Sequence, residues 1–311
     1  MNSSETAITV PQPKEVYLCQ VRNRISCSAC CGLYNRVDAS KHVLKKILKD
    51  RTESFMKVER TMESILEFGR ETELRESNVR KYPDFHHCPY IGLIGLKQSR
   101  TGCLLHPRSV GNNGIDYRGL SYYGGLACNT YFCPASRLLS PEIKLIVQYV
   151  ADDWYIYGLM ITEKALLEAF FKEIEHRLNR SVTSCDFKDN PQAIKAVRDF
   201  LYLKVDWPFR PETHTGPCNY FFKNRKYQKP PVTYRIPDVY LSRYHIIFQE
   251  LISTFNSMES LQQAESIIRS VLERTIRSIM DPCSCYGMKR ESLFTPNPQK
   301  HYRSQQDGEY L

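Results

Sequence analysis

Cys27-Ser28-Ala29-Cys30-Cys31-Gly32 is the stretch on which the fold of this chain depends. It places three thiols close together, and four more cysteines follow before Pro134. Ordinary core packing does not account for so dense a cluster, whereas thiolate binding of a metal does. We therefore predict that the first half of the protein is built around bound metal. The predicted ligands are Cys27, Cys30, Cys31, Cys88, Cys103, Cys128 and Cys133.

The spacing limits the kind of metal site. Cys27 and Cys30 form a C-x2-C pair, which lets two thiolates from one turn reach the same metal, while Cys31 points elsewhere and is available to a second metal or another corner of a cluster. Seven thiols together with one or more nearby histidines allow two four-coordinate zinc sites, or one iron–sulfur cluster with thiols left over. Thiolates prefer soft or borderline metals, which excludes calcium and magnesium. The choice between zinc and iron–sulfur stays open.

Several further donors are left undecided. A histidine next to a cysteine can complete a mixed site, but it can equally be a hydrogen-bonded or exposed imidazole. His106 is the preferred histidine, because its spacing to Cys103 suits a shared turn. An isolated thiol can likewise be a buried structural group or an auxiliary ligand. The undecided donors are Cys19, His86, His87, His106, Cys283 and Cys285.

The cluster resembles the YkgJ-like cysteine-cluster family, a zinc- or iron-chelating domain named for its C-x2-C-x2-C-C motif. The matching residues are Cys27-x2-Cys30-Cys31, Cys88, Cys103-Leu104-Leu105-His106-Pro107, Cys128 and Cys133. The resemblance covers about residues 19–134 and implies metal binding. Arg24 stands where the first cysteine of the motif would be, so that ligand is absent or supplied by Cys19. Some related proteins resemble flagellin lysine N-methylases.

Composition and compartment agree with this interpretation. The chain has 311 residues, of which 42% are apolar, so it can bury a substantial core. Residues 1–20 lack the basic and apolar regions of a secretory signal, and no apolar stretch is long enough to span a bilayer. We therefore expect a cytoplasmic protein without a membrane partner, in which thiols stay reduced. The net charge of +9 does not by itself identify a partner.

Periodicity predicts a mainly α fold with a loop-rich, metal-stabilised cysteine-cluster region and few short strands. Residues 16–21 are rich in β-forming residues, and residues 38–80 read as one amphipathic helix capped at Asp38 or Ser40, or as two with a break near Gly69. Residues 83–134 are rich in turn formers. These features predict a metal-binding domain over 1–140 with inserted helices at about 38–80, a helical domain over 141–282, and a disordered tail over 283–311.

Helix signals continue through the second half. Pro141 follows a serine cap, Thr162 is a candidate cap for a helix to about Asn179, and Pro191 opens a helix to about Val205. Helices are predicted to resume over about 241–280, with an apolar stripe that could close a bundle. Asp152 and Asp153 resemble paired acids, but helix caps or a solvated face explain them better.

Three functions follow in order of preference. We favour a metal-binding protein with a redox or metal-handling role. The alternative is a cluster-containing, protein-modifying enzyme such as a lysine N-methylase-like transferase, although phosphate-loop, zincin and nucleophile-elbow motifs are absent. The weakest is nucleic-acid binding through residues 207–244, where basic and aromatic residues alternate, because such rings more often pack on a core. A protein partner is left open.

Overall fold

The computed structural model describes residues 16–214, 216–217, 222–223, 226–227, 229–237 and 240–281, and the fold is mainly helical. The helices are α1 (Lys41–Phe55), α2 (Met62–Arg75), α3 (Gly124–Thr130), α4 (Pro134–Leu138), α5 (Pro141–Val150), α6 (Trp154–Ile161), α7 (Lys164–Leu178), α8 (Pro191–Asp206), α9 (His245–Glu250) and α10 (Met258–Met280). The strands are β1 (Gln20–Arg22), β2 (Ile25–Ser26), β3 (Ile91–Ile94), β4 (Arg100–Cys103), β5 (Phe222–Lys223), β6 (Lys226–Tyr227), β7 (Thr233–Tyr234) and β8 (Thr254–Phe255).

The strands form two-stranded ribbons. Three ribbons are antiparallel, whereas β7 and β8 pair in parallel. An isolated ribbon is marginally stable in water, so each needs support from packing. The β3–β4 ribbon obtains it from α1, where the Thr52 hydroxyl donates to the Leu93 carbonyl at 3.1 Å and accepts from the Leu93 amide at 2.7 Å.

Two hydrophobic clusters make up the core. The larger cluster joins α5 to α10, and Phe170 of α7 stacks on Phe200 of α8 with ring centroids 3.7 Å apart. The smaller cluster joins α1, α2 and the β3–β4 ribbon, and it includes Phe55, Phe68 and the Cys88 thiol. The cysteine-bearing loops are connected to both clusters.

Helix α6 lies between the two clusters. All eight of its residues are buried, as expected for a helix that is apolar on every side. Tyr157 packs in the larger cluster and Tyr155 in the smaller one. A Cβ atom at Gly158 would lie 2.2 Å from the Tyr34 hydroxyl oxygen, so only glycine fits there. Helix α6 therefore contributes to both hydrophobic clusters. The domain boundary predicted at residue 140 stays a prediction.

The predicted insertion consists of two helices, but the break is not near Gly69. The chain leaves the helix after Phe55, while Gly69 lies inside α2, where a Cβ atom would approach the Tyr90 hydroxyl oxygen to 2.2 Å. Arg60 stabilises the connection, because its guanidinium donates to the Phe55 carbonyl at 2.9 Å and to Asn112 at 2.8 Å. The glycine therefore reflects close packing rather than a helix end.

Most predicted helix starts agree with the structure. Ser140 caps α5 by accepting from the Ile143 amide, and α8 begins at Pro191. Asp153 caps α6, in agreement with the cap interpretation of the acidic pair. Thr162 ends α6 instead of starting α7, whose cap position is Glu163.

Helix length and hydropathy bear on the membrane prediction. No helix in the described part of the chain combines the length and apolar character needed to cross a membrane. The predicted disordered tail over 283–311, with Cys283 and Cys285, lies outside the described residues.

Candidate metal centre

The cysteine-bearing loops surround a cavity of about 1300 Å³, which we call the thiol cavity. Segments that are far apart in sequence contribute to its wall: the β1–β2 hairpin, the cysteine motif, the β3–β4 ribbon and the loop around α3. All seven predicted ligands lie on it, together with Cys19. The wall cysteines are Cys19, Cys27, Cys30, Cys31, Cys88, Cys103, Cys128 and Cys133.

The β1–β2 hairpin brings Cys19 next to Cys27. Cys19 precedes β1 and Cys27 follows β2, and the Cys27 amide donates to the Cys19 carbonyl at 2.8 Å. Arg24 lies between the strands with a φ of 70°, in the left-handed region that tight turns use. The residue at the expected first-cysteine position is therefore in the turn, while Cys19 lies on the cavity wall.

The cysteine motif ends in a single 3-10 turn, Ala29–Cys31. The turn leaves the thiols of Cys30 and Cys31 close enough to share a hydrogen bond. Gly32 closes the turn with a φ of 80°, and a Cβ atom there would lie 2.0 Å from the His86 carbonyl oxygen. Glycine thus permits the close approach of the motif to the segment that carries Cys88.

Hydrogen bonds also hold the segments that carry the later cysteines close to the cysteine motif. The Cys88 amide donates to the Cys31 carbonyl at 2.9 Å. Cys103 is at the end of β4, paired with Ile91, and so lies beside the chain that leaves Cys88. Cys128 is exposed on α3, with its sulfur 3.3 Å from the Ser121 hydroxyl oxygen. These contacts gather the later cysteines on one side of the cavity.

Buried hydroxyls join the motif to β4. Thr101 receives a hydrogen bond from the Ser28 hydroxyl at 2.9 Å, and its amide donates to the Ser26 hydroxyl at 3.0 Å. All three residues are buried. Because buried polar groups depend on their partners, this network fixes the motif relative to the strand that bears Cys103.

A buried ion network supports the Cys88 segment from behind. The Arg51 guanidinium forms hydrogen bonds with both carboxylate oxygens of Glu76, at 2.8 and 2.6 Å, and donates to the Cys88 carbonyl at 3.1 Å. Arg36 binds the same carboxylate. Burial alone would raise the pKa of Glu76, but hydrogen bonding and charge from Arg51, aided by Arg36, lower it to about 2. The amphipathic pattern of 38–80 did not indicate this role.

Most of the thiols are strongly held in their protonated form. Burial is the largest cause for Cys19 and Cys88, whose pKa values rise to about 11 and about 12. Cys30 and Cys31 differ because their thiols share a hydrogen bond, which lowers the pKa of Cys30 and raises that of Cys31. A metal would have to displace protons from most of these thiols.

The three candidate histidines have different environments. His86 lies on the cavity wall, stacked against Tyr122. His106 also lines the cavity, and its Nδ1 accepts from the Arg108 amide at 3.1 Å. His87 is absent from the wall residues and is buried near Glu76. Although His87 directly precedes Cys88 in the sequence, its side chain does not line the cavity.

The wall also carries charge of one sign. Its lining residues include no aspartate or glutamate within the described part of the chain, but five of them are lysine or arginine. Arg118 pairs with Asp116, which lies off the wall. Arg100 has a buried Nε without a hydrogen-bond partner. The cationic residues are Lys97, Arg100, Arg108, Arg118 and Lys164.

The thiols share a cavity without forming a finished coordination sphere. Across the residues that the structure describes, no three His, Cys, Asp or Glu side chains are gathered closely enough to hold a metal ion as they stand. No family model, curated protein or solved structure matches the chain.

The basic and aromatic connector over 207–244 is engaged elsewhere where it is described. Lys229 forms ion pairs with Glu163 and Glu250, and Arg243 pairs with Glu173. Tyr234 packs against Phe255. These side chains therefore contact the protein's own helices, as expected for a segment that packs on a core.

Proposed function

We propose that the chain is a metal-binding protein that holds zinc or an iron–sulfur cluster in the thiol cavity, in a redox or metal-handling role. The observation that carries the proposal is the convergence of all seven predicted ligands on one wall, from segments distant in sequence. Hydrophobic burial alone does not require thiols at each of these positions. Metal binding does, because cysteine sulfur is the preferred protein ligand of zinc and iron–sulfur clusters.

The donor chemistry fits such a group, although the side chains must rotate to bind it. The backbone around the cavity is fixed by the Ser28–Thr101 hydroxyl contact and by the Arg51 hydrogen bond to the Cys88 carbonyl. Cysteine has a single side-chain torsion that moves its sulfur, so a fixed backbone still permits local convergence. Bound metal would then contribute folding energy to the loop-rich region.

The resemblance to the YkgJ-like family supports the proposal. In the structure, the family-like residues Cys27, Cys30, Cys31, Cys88, Cys103, Cys128 and Cys133 surround one cavity. Cys19 faces the same cavity and is suited to replace the first motif cysteine, whose position Arg24 occupies in the hairpin turn. Family membership and its metal chemistry remain part of the proposal.

Metal analysis of anaerobically purified protein tests it. We expect either iron with acid-labile sulfide and a broad visible absorption band, or colourless protein with stoichiometric zinc. Cys30→Ala and Cys31→Ala should each lower the metal content. Cys185→Ala is the matched control, because Cys185 is exposed and does not line the cavity. Metal-free wild-type protein, or equal loss in the control, would contradict the proposal.

A second candidate is an enzyme that uses the thiol cavity as a substrate pocket. The cavity favours it, because the wall residues Thr162 and Lys164 from the helical half face the same space as the cysteines. The cationic wall suits an anionic small molecule better than a lysine side chain, so it favours an enzyme of a different kind from a lysine N-methylase.

Calorimetric titration with inorganic pyrophosphate and with citrate tests this candidate. We expect saturable binding of at least one anion, weakened in Arg100→Gln, while Lys45→Gln on exposed α1 surface binds as the wild type does. Failure of both anions to bind would remove the support for this candidate and leave the metal proposal intact.

A further inference from the structure

The β1–β2 hairpin places two of the cavity thiols directly opposite each other. Gln20 of β1 pairs with Ser26 of β2, so the next pair away from the turn is Cys19 with Cys27. The Cys27 amide donates to the Cys19 carbonyl at 2.8 Å, in agreement with this register. Directly opposite residues of an antiparallel pair point to the same face of the ribbon. The two cysteines therefore share one face.

The contacts of the neighbouring residues identify that face. The Gln20 side-chain amide donates to the Thr101 carbonyl at 2.9 Å, and the Ser26 hydroxyl lies 3.1 Å from the Thr101 hydroxyl oxygen. Because successive residues alternate between the two faces of a strand, Cys19 and Cys27 lie on the face away from Thr101. Both line the thiol cavity, and neither is fully buried.

Packing outside the hairpin holds its two strands in position. The Leu18 carbonyl accepts a hydrogen bond from the Tyr157 hydroxyl of α6 at 2.9 Å. On the other strand, Ile25 is fully buried in the larger cluster. The fold thus keeps Cys19 beside Cys27 in the reduced protein, and a bond between them requires no movement of distant segments.

We infer that Cys19 and Cys27 are a redox-active pair that forms a reversible disulfide. The Cα atoms of a hydrogen-bonded antiparallel pair lie about 5.5 Å apart, inside the range of about 4.4 to 6.8 Å that disulfides span. The Cβ atoms of such a pair lie about 4.5 to 5.5 Å apart, somewhat more than the mean of about 3.8 Å in disulfides. The bond must therefore draw the strands together slightly, which makes it readily reducible.

The oxidant is a low-molecular-weight disulfide. The thiolate of Cys19 attacks one sulfur of that molecule, which forms a mixed disulfide and releases one small thiol. The thiolate of Cys27 then attacks the Cys19 sulfur of the mixed disulfide and releases the second small thiol. The protein loses two electrons and two protons, and the small disulfide gains both as it becomes two thiols.

The bond changes which donors the cavity offers. Cys27 forms the C-x2-C pair with Cys30, and a sulfur in a disulfide is no longer a thiolate ligand. Oxidation therefore removes Cys19 and Cys27 from the metal donors. This consequence rests on the proposed function, whereas the disulfide itself does not.

Peptide mapping of the oxidised full chain tests the inference. Reduced, chelator-treated protein is incubated with oxidised glutathione, free thiols are blocked with N-ethylmaleimide, and the chain is digested with trypsin. Cleavage after Arg22 and Arg24 cuts the hairpin turn, so peptides 15–22 and 25–36 stay joined only through a disulfide. We expect the joined peptides in the wild type, with fragmentation spectra that place the bond at Cys27, and their separation by dithiothreitol.

Serine variants locate the bond independently. Cys27→Ser should abolish the joined peptides. Cys30→Ser is the matched control, because Cys30 lies in the same tryptic peptide and on the same cavity wall, and it should keep them. Circular dichroism checks the fold of each variant, and the fragmentation spectra of the wild type decide the case if a variant fails to fold. Joined peptides in Cys27→Ser, a bond to Cys30 in the wild type, or glutathione retained on Cys19 without a link would overturn the inference.

Zinc separates this inference from the proposed function. Zn²⁺ added before the oxidant should slow the linkage several-fold, because metal-bound thiolates do not attack the oxidant as free ones do. Equal linkage with and without Zn²⁺ would contradict the metal proposal and support the disulfide. Protein that binds Zn²⁺ but never forms the joined peptides after its removal would overturn the disulfide and support the metal proposal.

Discussion

The helical part and the cysteine-bearing part of this protein are stabilised in different ways. The larger cluster buries side chains from six helices, α5 to α10, and helices satisfy their backbone hydrogen bonds internally. The region around the thiol cavity has ribbons of two to four residues, 3-10 turns and a smaller cluster. Its rigidity depends on buried polar contacts and, we propose, on metal. Apolar burial dominates in the helical part, whereas buried polar contacts such as the Arg51–Glu76 pair join the segments of the other part.

Phe200→Ala should have the largest effect on stability. Phe200 is buried in the larger cluster and stacked on Phe170, so its removal leaves a cavity that costs about 4 kcal/mol of unfolding free energy. Urea denaturation measures the change. Metal content should stay at the wild-type value in the folded protein, because the ring is not on the cavity wall. A parallel loss of metal would show that the two parts are not separately stabilised.

Glu76→Gln should destabilise the cysteine-bearing part. We expect it to lower the free energy of unfolding by about 3 kcal/mol, because it leaves the buried Arg51 and Arg36 without a countercharge. The amide oxygen of glutamine retains one acceptor, which places the cost at the lower end of the range for a broken buried pair. Denaturation measures it, and Glu53→Gln is the control, since Glu53 forms an exposed pair with Lys49. Equal effects in both variants would contradict a structural role for the network.

The sequence predicted the helical part better than the cysteine part. Ser140 with Pro141, and Pro191, mark helix starts through local chemistry, and the structure confirms them. The prediction that Thr162 caps α7 was wrong, because Glu163 occupies the cap position. Glu163 forms ion pairs with Lys204 and Lys229, which are distant from it in sequence. Local signals predict local structure, but they do not contain such long-range pairs.

The candidate site shows the same limit. Its cysteines were predicted from spacing, and the structure brings all of them to one cavity. The position of Cys19 beside Cys27 depends on the hairpin register, and the role of Arg51 depends on the approach of α1 to the Cys88 segment. The spacing of residues in the sequence indicates neither the register of the β1–β2 hairpin nor the approach of α1 to the Cys88 segment. Neither could therefore be predicted from the residues alone.

The most specific test is the pH dependence of the contribution that Glu76 makes to the free energy of unfolding. Its pKa is about 2 in the folded protein, against an ordinary value of 4.5. A lowered carboxyl pKa stabilises the fold fully above pH 4.5, and this contribution is lost as the pH falls from 4.5 toward 2. The stability difference between wild type and Glu76→Gln should therefore narrow across that interval. His87, Arg51 and Arg36 are the charged or titratable groups that face the Glu76 carboxylate in the wild type.

Metal-free protein should be used for this comparison, because protonation of cysteine ligands would add its own acid sensitivity. Urea denaturation of the two proteins above pH 4.5 and again near pH 2 measures the difference at each end of the interval. Burial lowers the pKa of His87 to about 3 and Glu76 raises it, so the difference reports the carboxylate together with its interaction with His87. A difference that stays constant with pH would mean that Glu76 acts through packing rather than through its charge, and the cysteine region would then resemble the helical part.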